Sequence, residues 1–119
     1  YKNVTLEVMT ELSRKLRQLT NLGVHDVIID PGFGFSKTLE QNYELFAHLS
    51  EFKIFDKPML VGISRKSMIY KLLDITPDKA LNGTTVLNTL ALQAGAAILR
   101  VHDVAEAVEV RKIWGGIGE

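Results

Sequence analysis

Met59-Leu60-Val61-Gly62-Ile63-Ser64-Arg65-Lys66-Ser67 is an apolar run that ends abruptly in two hydroxyls and two cations. The pattern occurs twice more. Val27-Ile28-Ile29 runs into Asp30-Pro31-Gly32-Phe33-Gly34-Phe35, and the run from Ala97 to Val101 closes on Arg100-Val101-His102-Asp103. The apolar stretches are nearly continuous rather than alternating, which predicts buried strands covered on both faces. They recur roughly every 35 residues, the size of a strand–helix–strand unit.

Helical patterns fill the intervals. Val8, Leu12, Leu16 and Leu19 form one stripe between Asn3 and Leu22, and Gly23 follows where a left-handed cap is needed. Thr38 with Gln41 makes a capping box for a second helix, with Leu39, Tyr43, Phe46 and Leu49 as its predicted inner stripe. A short third helix is expected just after Ser64, carrying Met68, Ile69 and Leu72. Thr76-Pro77-Asp78 is a helix-start signal, Asn82-Gly83 a candidate break, and Thr84 to Ala94 a small-residue helix ending at Gly95. A last helix follows Asp103, with Val104, Val108 and Ile113 inward and a frayed tail from Gly115 to Gly118.

Strands alternating with helices imply a parallel sheet, either an open doubly wound sheet or a closed (β/α)8 barrel. A complete barrel takes about 250 residues; this chain has 119 and opens on a helix, with Tyr1 rather than Met. The fold class expected is α/β. Residues 1–119 are read as a single-domain fragment, the C-terminal part of a (β/α)8 TIM barrel with about three parallel strands and flanking helices. The alternative is a small free-standing α/β domain with exposed parallel edges.

Bulk properties narrow the function. The formal net charge is zero and no basic run occurs, so no nucleic-acid partner is expected. No long apolar stretch predicts a membrane span, and Tyr1-Lys2-Asn3-Val4 opens no signal peptide. Cysteine is absent, which rules out disulfides and thiolate metal sites and suits a reducing, cytoplasmic setting. His25 and His48 read as structural or exposed, and His102 and His25 show no metal-ligand spacing, so no metal site is assigned to this chain.

In parallel α/β folds ligands bind at the C-terminal ends of strands, so the three polar clusters should converge on one rim. Asp30 directly after an apolar run either accepts paired N–H groups from a flat heterocycle or caps its own Asp-Pro-Gly turn. Phe33 and Phe35 alternate, one suited to the core and the other to an aromatic pocket. Gly62 to Ser67 joins a strand to a helix start and suits an anion; alternatively Ser64 only caps, and Arg65 and Lys66 point to solvent. Arg100 and His102 lie on one side of their strand by period-two alternation. Arg100 is expected to meet Asp103, a phosphate or a ring face.

At these clusters the sequence resembles dihydropteroate synthase. The matching segments are Asp30 to Phe35, Leu60 to Ser67 and Arg100 to Asp103, in the family's order and spacing. The resemblance implies an enzyme of folate biosynthesis, a transferase in which p-aminobenzoate displaces pyrophosphate from 6-hydroxymethyl-7,8-dihydropterin diphosphate to give 7,8-dihydropteroate. It implies that Asp30 accepts from the pterin ring and Lys66 donates to it. Arg100 packs over the pterin face and, with His102, holds the diphosphate. Phe35 and Ser67 border the p-aminobenzoate site, where sulfonamides also bind. Lys66, Arg100 and His102 are thus the implied catalytic residues, and Asp30, Phe33, Phe35, Gly62, Ser64, Lys66, Ser67, Arg100 and His102 the substrate-binding ones. Mg2+ is implied for the full enzyme through a first-strand Asn in the family's N-terminal half, which this chain does not contain. That half also supplies two mobile loops and further pterin contacts, so the isolated chain is expected to be inactive. Homo-oligomeric association is expected from uncovered strands. The competing readings are a pterin-binding methyltransferase domain and a non-catalytic assembly fragment.

Overall fold

The computed structural model describes residues 3–34 and 36–118. Helix α1 spans Val4–Asn21 and opens on Asn3, whose side chain accepts from the Leu6 N–H. It ends as Gly23 demanded: with φ +83°, the Gly23 N–H reaches the Thr20 carbonyl and the Val24 N–H the Leu19 carbonyl, closing the orphan carbonyls of the last turn. Helix α2, Leu39–Ala47, starts in the reciprocal Thr38–Gln41 capping box and hands over to a 3-10 segment, Leu49–Phe55. Strand β1 is Leu60–Val61, followed by α3, Ser67–Leu73. After a 3-10 turn at Pro77–Lys79 come α4, Leu81–Gln93, strand β2, Ile98–Leu99, and α5, Val104–Gly116.

The strands β1 and β2 are parallel, with Leu60 opposite Ile98 and Val61 opposite Leu99. Ile29 joins the other edge of β1 through a parallel bridge to Met59, and the Leu60 N–H donates to the Ile29 carbonyl at 2.8 Å. The three segments therefore lie side by side in chain order, as in a barrel wall. Each is shorter than its apolar run predicts. The Ile29 segment and β2 pair on one side only among the described residues, so few ladder bonds hold them extended. The expectation of cover on both faces holds for Ile29, Val61 and Ile63 but not for Ile28 and Ile98, which are exposed.

The core lies between this ladder and the helices, built on Leu45, Leu49, Phe52, Val61, Ile63, Met68 and Ile69. Several predicted faces are rotated. Of the stripe expected for the second helix, Leu49 is fully buried and Leu39, Tyr43 and Phe46 pack partly buried against the core, while the more deeply buried line also runs through Asn42, Leu45 and Phe52. The Asn42 amide turns inward because it holds Gly34: its Oδ1 accepts the Gly34 N–H at 3.2 Å. On α5, Val110 is buried while Val104, Val108 and Ile113 face out, because the helix packs on α4 through its other side. Leu72 is likewise exposed. Asn82-Gly83 does not break a helix but lies in the first turn of α4. A Cβ on Gly83 would sit 2.5 Å from Ile69 Cγ2, so glycine serves close approach of α4 to α3 there. Gly115 and Gly116 continue α5 rather than fraying.

Candidate functional site

The chain leaves β1 through Gly62, Ile63 and Ser64, all buried, and then turns at Arg65. Arg65 has φ +53°, in the left-handed region. Its N–H donates to Thr84 Oγ1 at 3.0 Å, and Thr84 in turn donates to the Ala80 carbonyl at 2.7 Å. The turn delivers Lys66 as N-cap and Ser67 as the first residue of α3. The Ser64 hydroxyl accepts the His102 N–H at 3.1 Å, tying the end of β1 to the end of β2.

The Arg65 guanidinium does not face solvent. Its Nε and Nη2 donate to the two Asp103 oxygens at 2.9 and 3.0 Å, and its Nη1 donates to the Pro77 carbonyl at 2.8 Å. Arg65 holds the Asp103 carboxyl below the usual carboxylate range, through hydrogen bonding first. Asp103 is thus the partner of Arg65, which corrects the expectation that it pairs with Arg100. It also explains why Asp103 precedes α5 without capping it by side chain.

Arg100 instead lies over β1. Its guanidinium covers the bare Cα of Gly62, where a Cβ would meet Nη2 at 3.0 Å and Nε at 3.1 Å. Among the described residues it makes no hydrogen bond through its side chain, and it is exposed. Lys66 reaches the opposite way. Its ammonium donates to the Phe33 carbonyl at 2.6 Å. Burial lowers its pKa; the nearby Arg100 and Lys37 charges act in the same direction, and Asp30 opposes them. Lys66 therefore lies within the fields of Asp30 on one strand end and Arg100 on another.

Asp30 is exposed, and its Oδ1 accepts the Gly32 N–H at 2.9 Å, so it does cap its own turn. Among the described residues only one carboxylate oxygen is used in that way. Phe33 is buried, its ring tilted at 49° against Phe46 with centroids 5.6 Å apart, which makes it the core member of the Phe pair. Phe35 lies outside the described residues. A cleft of about 610 Å³ opens between these strand ends. Gly32 to Gly34, Ser64 to Ser67 and His102 line it, joined by Ser36, Lys37 and Tyr70, whereas Asp30, Gly62 and Arg100 are not part of its lining.

Lys37 and Tyr70 were not singled out from sequence. Tyr70 follows Ser67 by three residues, so it shares a helix face with it. Lys37 donates to the Gly32 carbonyl, a contact that nothing in its spacing announces. Thr84 and Asn42 support the site from behind, and a buried polar residue on an otherwise apolar helix face was the available signal for both. Among the described residues no group of three or more His, Asp and Glu side chains is arranged to hold a metal ion. No described helix is long and apolar enough to cross a membrane.

Residues 1–102 match the sequence family described as pterin binding enzyme. The dihydropteroate synthase of Escherichia coli K12 is 42% identical over 115 residues, covering 95% of this chain and 41% of that protein. The Yersinia pestis dihydropteroate synthase crystal structure superposes with a TM-score of 0.93 at 38% identity, covering 98% of this chain and 49% of that one. The Xanthomonas albilineans dihydropteroate synthase, solved in complex with 7,8-dihydropteroate, gives the same TM-score of 0.93 at 36% identity, covering 98% of this chain and 46% of that one. These neighbours are (β/α)8 barrels, and the parallel segments described here correspond to part of such a wall. The chain spans less than half the length of these relatives.

Proposed function

The chain belongs to the pterin-binding enzyme family, and from that premise we propose that the protein carrying it is a dihydropteroate synthase. The reaction joins p-aminobenzoate to 6-hydroxymethyl-7,8-dihydropterin diphosphate with loss of pyrophosphate. One observation carries this reading: residues of three different strand ends, Gly32 to Gly34, Ser64 to Ser67 and His102, line one cleft, and the Lys66 ammonium donates to the Phe33 carbonyl at 2.6 Å. Asp30 and Arg100 lie at the neighbouring strand ends rather than in the lining of that cleft; an acceptor, a donor and a flat cation so distributed suit a heterocycle that has paired N–H groups, a ring oxygen or nitrogen, and a π face.

Each residue then has a task. The Asp30 oxygen not engaged by Gly32 accepts from the pterin N–H groups. Lys66 exchanges its bond to the Phe33 carbonyl for one to the pterin. Partial burial, which lowers its pKa, strengthens such a bond relative to one made in water. Arg100 presents its guanidinium face to the ring and, with His102, meets the departing diphosphate charge. Ser67 and Tyr70 border the space left for p-aminobenzoate. Catalysis is chiefly positioning and stabilisation of the leaving group.

The 119 residues alone are proposed to be inactive, since the resemblance assigns the metal-binding Asn and further pterin contacts to segments they do not contain. The test is pyrophosphate release by the intact protein, measured with and without p-aminobenzoate, beside the isolated chain. Release that depends on p-aminobenzoate in the intact protein alone is expected. Methyl transfer from a pterin without pyrophosphate release would point to the methyltransferase reading, and turnover by the isolated chain at the intact rate would refute the need for the remainder.

A further inference from the structure

We propose that Arg65 is a positioning residue whose left-handed turn and fork onto Asp103 aim Lys66 into the cleft. This inference rests on the reading of Lys66 given above. Arg65 is set beside Lys66 in a doubly cationic step, which from sequence suited an anion. The geometry separates the two. All three guanidinium nitrogens of Arg65 donate to protein oxygens, two to Asp103 and one to Pro77. Its charge is already met, so it is a poor candidate to bind substrate, whereas among the described residues the Lys66 ammonium is held by a backbone carbonyl alone.

The backbone carries the second part of the argument. A non-glycine residue at φ +53° is in a sparsely populated region and persists only where its surroundings over-determine it. Here the surroundings do so from both sides. Thr84 takes the Arg65 N–H, and the guanidinium anchors the side chain to the residue before α5 and to the 3-10 turn before α4. Immediately before the turn, Ser64 is fixed by the His102 N–H; immediately after it, Lys66 opens α3. The Arg65–Asp103 clamp therefore spans the ends of β1 and β2, and it sets both the direction in which Lys66 leaves the chain and the distance of His102 from it. Small misplacements of reacting groups cost large factors in rate, so a residue whose charge is already met by protein oxygens can still matter to turnover.

The experiment is a double-mutant comparison in the intact protein, reading kcat/KM for pyrophosphate release and the fraction folded. Arg65→Lys keeps the charge and loses the fork; Asp103→Asn keeps the shape and loses the ion pair. Each is expected to lower kcat/KM roughly 10- to 100-fold for folded protein. In a Lys66→Ala background the same changes should cost less than about threefold, because the group they position is gone. Equal losses in both backgrounds, with Lys66→Ala itself impaired, would overturn this inference alone and leave a structural role for the clamp. No effect of Lys66→Ala would overturn both the inference and the functional reading beneath it. Should Arg65→Lys fail to fold, Asp103→Asn, which leaves the Pro77 contact available, carries the comparison with the same two outcomes.

Discussion

Gly62→Ala separates the stability of the barrel wall from the use of its rim. Gly62 is buried, yet its backbone is not in the left-handed region, so alanine fits it without strain. The added Cβ would meet the Arg100 guanidinium at 3.0 Å from Nη2, 3.1 Å from Nε and 3.3 Å from Cζ. Ordinary contacts lie at about 3.5 to 4.0 Å, so the guanidinium must lift by several tenths of an ångström. It is the far end of a flexible, exposed side chain, and lifting it is cheap. Alanine also removes about 0.4 to 1 kcal/mol of unfolded-state freedom. Denaturant midpoints should therefore stay within about 1 kcal/mol of the parent protein. Ligand binding should not. A cation stacked on a ring contributes about 0.5 to 2 kcal/mol, and losing most of it weakens binding roughly 2- to 30-fold. Calorimetric titration of the intact protein with a pterin diphosphate analogue measures this, with Arg100→Met as the second background. Unchanged affinity would refute the reasoning, as would the same loss in the absence of Arg100, since the methyl group would then act by another route.

Gly83→Ala should destabilise by about 1 to 3 kcal/mol through overpacking, and Ile69→Ala should cost less on top of it than alone, because Ile69 Cγ2 is the atom 2.5 Å from the new Cβ. Chemical denaturation of the four variants reads this directly. The acid limb of stability should depend on Asp103. Its pKa is lowered in the folded state by Arg65, so its contribution is present above the unfolded carboxylate pKa and is lost as pH falls through the folded one. Asp103→Asn should flatten that limb in unfolding midpoints measured across acid pH. His48 acts at the other side. Its pKa is raised above 6.5, first by its bond to the Glu44 carbonyl, so its contribution is complete below that value and fades as pH rises through the folded pKa. His48→Gln should remove that step from the same titration. The isolated chain should self-associate in light scattering, since Ile28 and Ile98 lie exposed on its outer strand segments; a monodisperse monomer would count against this.

The end of α1 and the start of α2 were legible because they rest on local chemistry, whereas the Thr76-Pro77-Asp78 signal opened only a 3-10 turn and α4 began at Leu81. Thr38 with Gln41 and Gly23 act through their own neighbours, and both ends formed as their residue types require. Helix faces were less legible. Tyr43 and Phe46 share helical spacing with Leu39, yet the buried line runs through Asn42 and Leu45. That rotation is set by the Asn42–Gly34 bond between segments, which no periodicity reports. The same holds for Val110 on α5, whose burial depends on α4. At the site, convergence of the polar clusters was visible in their placement after apolar runs. The pairing was not: Asp103 lies three residues from Arg100 and 38 from Arg65, and the distant partner holds it. Of the two readings of Asp30, the structure shows the cap on its own turn, and the acceptor role toward a heterocycle is a proposal.

The central claim is that the open strand ends around Lys66 hold a pterin. Asp30→Asn tests it most directly, because the amide oxygen can still accept the Gly32 N–H while the charge and the second acceptor are lost. Titrated in the intact protein with a pterin diphosphate analogue, this variant should remain folded and bind about 10- to 100-fold more weakly, the worth of a hydrogen bond to a charged group. Affinity equal to that of the parent protein, with the fold intact, would contradict the account.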